Sequence, residues 1–397
     1  MTPMVVAKLQ ASWLESPFVR KVVTALGADN IRFVGGAVRD TLIGKTVGDI
    51  DAATRLTPEE TMAALKAAGI RVVPTGLAHG TVTAVEDGQH VEITTLRVDV
   101  KTDGRHAEVA FTTDWREDAA RRDFTMNALY AALDGSVYDP FDGLADLKAG
   151  HVRFIGDAAA RIREDGLRIL RFFRFYAWYG KGPVDPAGLA ACTSLADMID
   201  TLSAERVRDE MLKTLSAPDP VAAWSALVDA GVAAHLPGKG GDVSGLMRLV
   251  ARERLLGCEP EAFVRLAVVT GLKADDVAPL AKALRLSAKQ KRHLKAVTTG
   301  CAAGRVMDEV ALRAFVYRHG RAAGLAHLLT VMGDPDPALI YWVRDWPVPV
   351  LPVKGGDLIA LGVPMGPDVS ERLAEIEAEW VRNDFRVERS TLLARFY

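Results

Sequence analysis

Near Asp157 the spacing of apolar residues changes from alternation to helical periodicity, so this 397-residue chain must build two kinds of core. Before the change, β-branched runs begin at Ile31 (IRFV), Val72 (VVP), Thr81 (TVTAV) and His90 (HVEIT), punctuated by Gly, Asp and Asn. Asp87 to Gln89 (DGQ) carries hairpin-turn chemistry. A helix is predicted from Pro58 to Ala68, with Thr57 as cap, Pro58 at the first position and Gly69 at the end. After the change, LRILRFFRFYAWY from Leu167 reads as one long amphipathic helix. Breaks fall at GKGP (Gly180), APDP (Ala217) and PGKGGD (Pro237). The pattern predicts an α/β head before about residue 140 and a mostly helical remainder.

Composition narrows the function classes. With 49% apolar residues, 25% charged residues and a net charge of -2, the chain is a globular protein and not a globally basic nucleic-acid coat. Any RNA must be met by local basic surfaces. Cys192, Cys258 and Cys301 are far apart and form no CxxC, which argues against a disulfide framework or zinc site. The start MTPMVVAKLQ lacks a signal-peptide pattern, and no charge-free apolar run reaches the ~20 residues that span a bilayer. A cytoplasmic protein without membrane contact or a stable protein partner is expected.

The strongest chemical signal is FVGGAVRD (Phe33 to Asp40) followed by DID (Asp49 to Asp51) in a strand-like setting. Residues i and i+2 of a strand share a face, so Asp49 and Asp51 present two carboxylates together. Hard divalent ions such as Mg²⁺ favour such oxygen donors and complete their shell with water and phosphate. A pair of ions there can activate a hydroxyl and stabilise leaving pyrophosphate. Gly35 and Gly36 let backbone N–H groups approach a triphosphate, and Arg39 and Lys45 can neutralise its charge. Glu92, in VEITTLR, is either a third metal ligand beside the DID strand or a solvent-facing strand residue.

Two further stretches carry chemistry. RRDFTMNA (Arg121 to Ala128) sets two cations and a carboxylate beside Phe124, a residue of buried type. An adjacent Arg and Asp suit a ribose, one donating and the other accepting; the alternative is an ordinary salt bridge at a helix N-terminus. Asn127 can orient phosphate or backbone. In EDGLRILR (Glu164 to Arg171), Asp165 and Arg168 fall at i and i+3 of a helix. Cytosine and adenine each offer an amino donor beside a ring-nitrogen acceptor, which an Asp–Arg pair can match. Uracil and guanine reverse that pattern. The alternative is a surface salt bridge.

These stretches, with DPFDG (Asp139 to Gly143) and ERVRDE (Glu205 to Glu210), resemble the motifs of class II CCA-adding enzymes in the tRNA nucleotidyltransferase/poly(A) polymerase family. The match is close over Ile31 to Glu210 and loose beyond. It implies an α+β fold: a polymerase-beta-like nucleotidyltransferase head (1–140), a base-reading neck (141–210), a helical body (211–290) and a helical, tRNA-binding tail (291–397). It implies that two Mg²⁺ ions on Asp49 and Asp51 serve transfer from CTP and ATP to tRNA. It further implies that Arg122, Asp123 and Asn127 test the ribose, and that Asp165 and Arg168 choose the base. Glu205 and Arg206 are expected to support the neck, with Arg206 pairing Glu210 at i+4, and Arg171 and Arg174, which extend the Arg168 face by i+3 steps, to support the site or touch phosphates. DPFDG is expected to couple head and neck structurally. Val98 to Asp118, with DGRHAEV (Asp103 to Val109), resembles the family's mobile loop at full length, which favours addition of the terminal A. Poly(A) polymerase and CC- or A-adding enzymes share the head and remain the alternatives. No HD pair occurs, so the phosphohydrolase domain of some relatives is not expected.

Farther on, Lys282, Arg285, Lys289, Lys291, Arg292 and Lys295 make a basic cluster, with His293 among them. It is either a grip on tRNA phosphates or a solvated helix face. VKGGDLIALGVPMGPDV from Val353 resembles the family's tail, or is a simple helix–turn–helix joint.

Overall fold

The computed structural model describes residues 5–103, 106–333 and 336–395. The chain forms two compact units, Met1–Leu236 and Pro237–Tyr397. The expected head and neck both fall within the first.

Among the described residues of that unit ten strands form in chain order: β1 (Val5–Lys8), β2 (Ile31–Val34), β3 (Ile50–Thr54), β4 (Arg71–Gly76), β5 (Thr81–Glu86), β6 (Gln89–Thr95), β7 (Arg97–Asp103), β8 (His106–Phe111), β9 (Tyr130–Ala131) and β10 (Ser136–Tyr138). Eight of them make one sheet in the order β1-β10-β9-β2-β3-β6-β5-β4. Its neighbours are antiparallel except for β3 and β6, which run parallel with Asp51 opposite Glu92. The β5–β6 hairpin turns through Asp87 and Gly88, both at positive φ (47° and 78°), as the DGQ signal predicts. The helix Pro58–Ala67 begins with a reciprocal Thr57–Glu60 capping box. Its Leu65, with Val22 of the helix Pro17–Leu26, is fully buried.

The predicted long helix spans Leu167–Tyr179. It joins the head through aromatic packing: Phe124 of the RRDFTMNA stretch lies 5.0 Å from Phe175, and Phe154 stacks on Phe172 at 5.5 Å. Phe124 is fully buried, as its residue type suggested. DPFDG is structural: Asp139 accepts hydrogen bonds from the backbone N–H groups of Gly143 and Leu144 (2.8 and 2.9 Å), which start the helix Gly143–Ala149. Gly143 is required there, because a Cβ would stand 2.1 Å from the Thr125 carbonyl oxygen. The stretch resembling a mobile loop is an antiparallel β7–β8 hairpin with Val98 opposite Ala110. Gly104 and Arg105 of DGRHAEV lie outside the described residues.

The second unit is helical among its described residues. Leu249, Val264, Val297, Leu312, Val316 and Val343 centre its core. The helices Ala288–Ala302 and Arg321–Thr330 approach so closely that a Cβ on Gly300 would meet the Ala323 carbonyl oxygen at 2.2 Å. A smaller core forms around Val353, Leu358, Ile376, Trp380 and Leu392. The VKGGD segment opens the helix Gly355–Ala360 within it.

Candidate active site

The DID residues sit where β3 begins. Asp51 is half-buried, whereas the Asp49 side chain is 79% exposed just before the strand. The two are close enough to affect each other. Burial pushes the Asp51 carboxyl above the usual range, and Glu92 and Asp49 push it further; Arg122 and His90 oppose the rise. Asp49 lies 3.2 Å from His90 Nε2. Glu92 is exposed and lies beside Asp51 across the parallel β3–β6 register. Among the described residues no three acidic, His or Cys groups converge as a closed metal cage. The donor set nonetheless fits a hard divalent cation: carboxylate oxygens at the start of a strand, whose mutual repulsion a cation would relieve.

Beside them, at the end of the neighbouring strand β2, is the glycine turn. Gly35 adopts φ 69°, ψ −126°, a conformation open to glycine and strained for other residues, and leads into the helix Gly36–Leu42. A Cβ on Gly35 would lie 3.9 Å from Arg122 Nη1, so this guanidinium borders the turn as well as Asp51. Arg122 is held through Nε and Nη2 by Asp118, with Tyr130 Oη 3.2 Å from its Nε.

Arg39 departs from expectation. It is buried, donates to both Asp40 oxygens (2.9 Å each) and to Asn127 Oδ1 (2.6 Å), and lies 4.3 Å from the Tyr179 ring centre. The structure makes it a brace between the glycine helix and the neck, not an open phosphate ligand. The reason is its place on the helix face that packs inward. Lys45 is largely exposed but its ammonium donates to the Trp178 carbonyl (2.9 Å) and lies over the Tyr179 ring, and this partial desolvation lowers its amine from the usual range. Asp123 and Asn127 are likewise tied down. Asp123 accepts from Asn127 Nδ2 and Phe124 N–H (2.9 Å each) and from Arg171 Nε (2.7 Å). Burial alone would raise the Asp123 carboxyl, but Arg171 and these hydrogen bonds hold it at about 2.

The pair expected to read the base, Asp165 and Arg168, is built differently from the expected helix face. Asp165 is extended (φ −155°, ψ 106°) at the joint between the helices Ala158–Glu164 and Leu167–Tyr179. It does not pair with Arg168. One oxygen accepts from Leu167 N–H (3.0 Å) and the other from Arg206 Nη2 (2.6 Å). Arg168 donates to Glu164 and to the carbonyls of Arg161 (2.8 Å) and Arg121 (3.0 Å), which leaves its Nε–H unpartnered among the described residues. The anticipated Arg206–Glu210 pair is also replaced. Glu210 is buried and binds Arg174 at 2.5 Å, with Arg171 3.9 Å away, while Arg206 of its own helix pairs with Asp165. Arg171 and Arg174 are thus tied to the carboxylates of Asp123 and Glu210 rather than left open to phosphates, and Glu205 lies half-buried in the first turn of the helix Ala204–Leu215.

The poly(A) polymerase head-domain model matches residues 31–153, and a second model, described as a probable RNA and SrmB-binding site of polymerase A, matches residues 183–238. The mouse mitochondrial CCA tRNA nucleotidyltransferase 1 is 34% identical over 98% of this chain and 92% of its own. The chain belongs to the CCA-adding tRNA nucleotidyltransferase family. A CCA-adding enzyme of Limosilactobacillus fermentum is 32% identical over 91% of each chain. The crystal structure of the Bacillus stearothermophilus CCA-adding enzyme in complex with CTP superposes with a TM-score of 0.79 at 29% identity, covering 96% of this chain and 97% of that one.

As a CCA-adding tRNA nucleotidyltransferase, the chain carries site-building residues that its motifs did not single out. Asp118, Asp40, Tyr130 and Glu164 each fix an arginine of the site. Asp118 had a legible signal, since it precedes Arg121 and Arg122 by three and four residues, the spacing of neighbours on a helix. Tyr130 had none, because it arrives from strand β9.

Proposed function

We propose that this protein adds C, C and A to the tRNA 3′ end, using CTP and ATP and releasing pyrophosphate. The observation that carries the reading is the parallel β3–β6 register, which groups Asp51 and Glu92 behind Asp49 within reach of Arg122 and the Gly35 turn. Asp49 and Asp51 would hold two Mg²⁺ ions, which when bound supply Lewis-acid activation of the 3′-hydroxyl and neutralise charge on the leaving group. The tRNA 3′-oxygen attacks the α-phosphorus, and the bond to the β-phosphate breaks. Gly35 admits the phosphates close to its backbone, and Arg122 donates from the side. Positioning and charge stabilisation perform such a transfer without a protein nucleophile. Asp165 accepts from the amino group of C or A while Arg168 donates to the adjacent ring nitrogen. Asp123 and Asn127 set the ribose contact by holding their stretch in place. Three free cysteines suit the cytoplasm as its location.

Incubating the protein with tRNA lacking its terminus, and with CTP and ATP singly and together, tests the reading. A three-nucleotide extension that requires both nucleotides is expected. A long adenylate tail, or extension stopping at CC or limited to A, would replace it with one of the alternatives.

The basic cluster is proposed to grip tRNA. Lys282, Arg285, Lys289, Lys291, Arg292 and Lys295 are all exposed, opposite buried Leu294 and Val297 where they share the helix Ala288–Ala302. Lys289, Lys291, Arg292 and Lys295 form no ion pair among the described residues. Reversing Lys291, Arg292 and Lys295 to Glu should weaken tRNA binding and lower its log–log salt slope by about one per lost phosphate contact. The KM for CTP should not move. An unchanged salt slope would make the cluster a solvated face.

A further inference from the structure

We propose that Asp118 is a positioning residue for nucleotide transfer: one buried carboxylate aims Arg122 at the nucleotide and anchors the backbone that holds Arg168. This rests on the reading that Arg122 meets the nucleotide. Asp118 lies within the short helix Trp115–Ala120 and is 1% exposed. One of its oxygens accepts from Arg121 (Nε 2.9 Å, Nη2 2.7 Å). The other accepts from Arg122 (Nη2 3.1 Å) and from the Tyr130 hydroxyl (2.6 Å). Burial would raise this carboxyl, but the two arginines and the phenol hold it at about 2, so it stays ionised.

The geometry separates the two ends of Arg122. Asp118 takes Nε and Nη2, and Nη1, unpartnered among the described residues, is left toward the Gly35 turn. A guanidinium gripped on two nitrogens cannot swing about its long side chain, so its third nitrogen has a fixed direction. The same carboxylate fixes Arg121, whose carbonyl accepts from Arg168 Nη2 (3.0 Å); the preceding Ala120 carbonyl accepts from Arg161 Nη1 (3.1 Å). Arginines from the neck thereby cap the C-terminal end of the Asp118 helix. Sugar-phosphate contact and base reading meet at a residue that touches neither.

The experiment is a double-mutant cycle on the full chain with Asp118→Asn and Arg122→Gln. The readouts are kcat and KM for CTP, the CTP/dCTP and CTP/UTP preferences, and tRNA affinity. Asn keeps the volume but loses the charge that orients both arginines. Asp118→Asn should raise the KM for CTP by about tenfold or more and lower both preferences, with tRNA affinity within about twofold. In KM for CTP and CTP/dCTP preference the double variant should be no worse than Arg122→Gln, because there Asp118 acts through that side chain, while its CTP/UTP preference should fall further through the Arg121–Arg168 contact. Multiplying losses in KM for CTP, or an unchanged KM and preferences in Asp118→Asn, would overturn the proposal. If Arg122→Gln alone left CTP kinetics intact, the role of Arg122 would fail instead. Should Asp118→Asn not fold, Tyr130→Phe makes the test, since it keeps the ring and removes one donor from Asp118. A several-fold rise in KM for CTP at unchanged tRNA affinity is expected, and no rise would count against the proposal.

Discussion

Asp49→Ala should lower nucleotide incorporation by about a thousandfold or more while tRNA affinity stays within about twofold. The carboxylate is largely exposed and bears no packing, so the fold should survive its loss. Asp51 gives the complementary experiment. Its carboxyl is raised by burial and by Glu92, so ionising it costs the folded chain more than the unfolded one. The sign follows: stability is highest below the unfolded carboxyl pKa and falls as pH rises through the folded value. Metal-free Asp51→Asn should then match or exceed the wild-type melting temperature at neutral pH, although it is inactive. Mg²⁺ should raise the wild-type melting temperature and leave that of the variant unmoved. Turnover retained in Asp49→Ala, or an equal Mg²⁺ shift in both proteins, would remove these carboxylates as metal ligands.

Arg168→Ala should degrade base choice before it degrades chemistry. A matched donor–acceptor pair discriminates by about 1–3 kcal/mol, so the preference for CTP over UTP should fall by about 5- to 150-fold. Arg206→Ala should act in the same direction with smaller effect, because it frees one oxygen of Asp165 to rotate. Primer-extension assays with each single nucleotide measure both. Selectivity unchanged in Arg168→Ala would mean that the neck does not read the base edge.

The site's residue types were legible from the motifs, but their partners were not. Asp165 and Arg168 illustrate the difference. Their spacing suggested one helix face, yet Gly166 and the backbone turn at Asp165 separate two helices there, and each side chain finds a stronger partner elsewhere. Arg39 shows it again: a cation beside a glycine turn reads as a phosphate ligand until Asp40, Asn127 and Tyr179 are seen around it.

The sequence alone determined the local elements: the DGQ hairpin, the capped helix from Pro58, the long helix from Leu167 and the Asp pair at the start of β3. Those depend on short-range sterics, periodicity and capping, which neighbouring residues specify. Only the tertiary structure decided that β6 lies parallel to β3 with Glu92 against Asp51, that Asp118 holds two arginines, and that Glu210 pairs with the long helix. The choice among ionic partners is made by burial, where a charge left unpaired is costly, and burial is set by residues far apart in the chain.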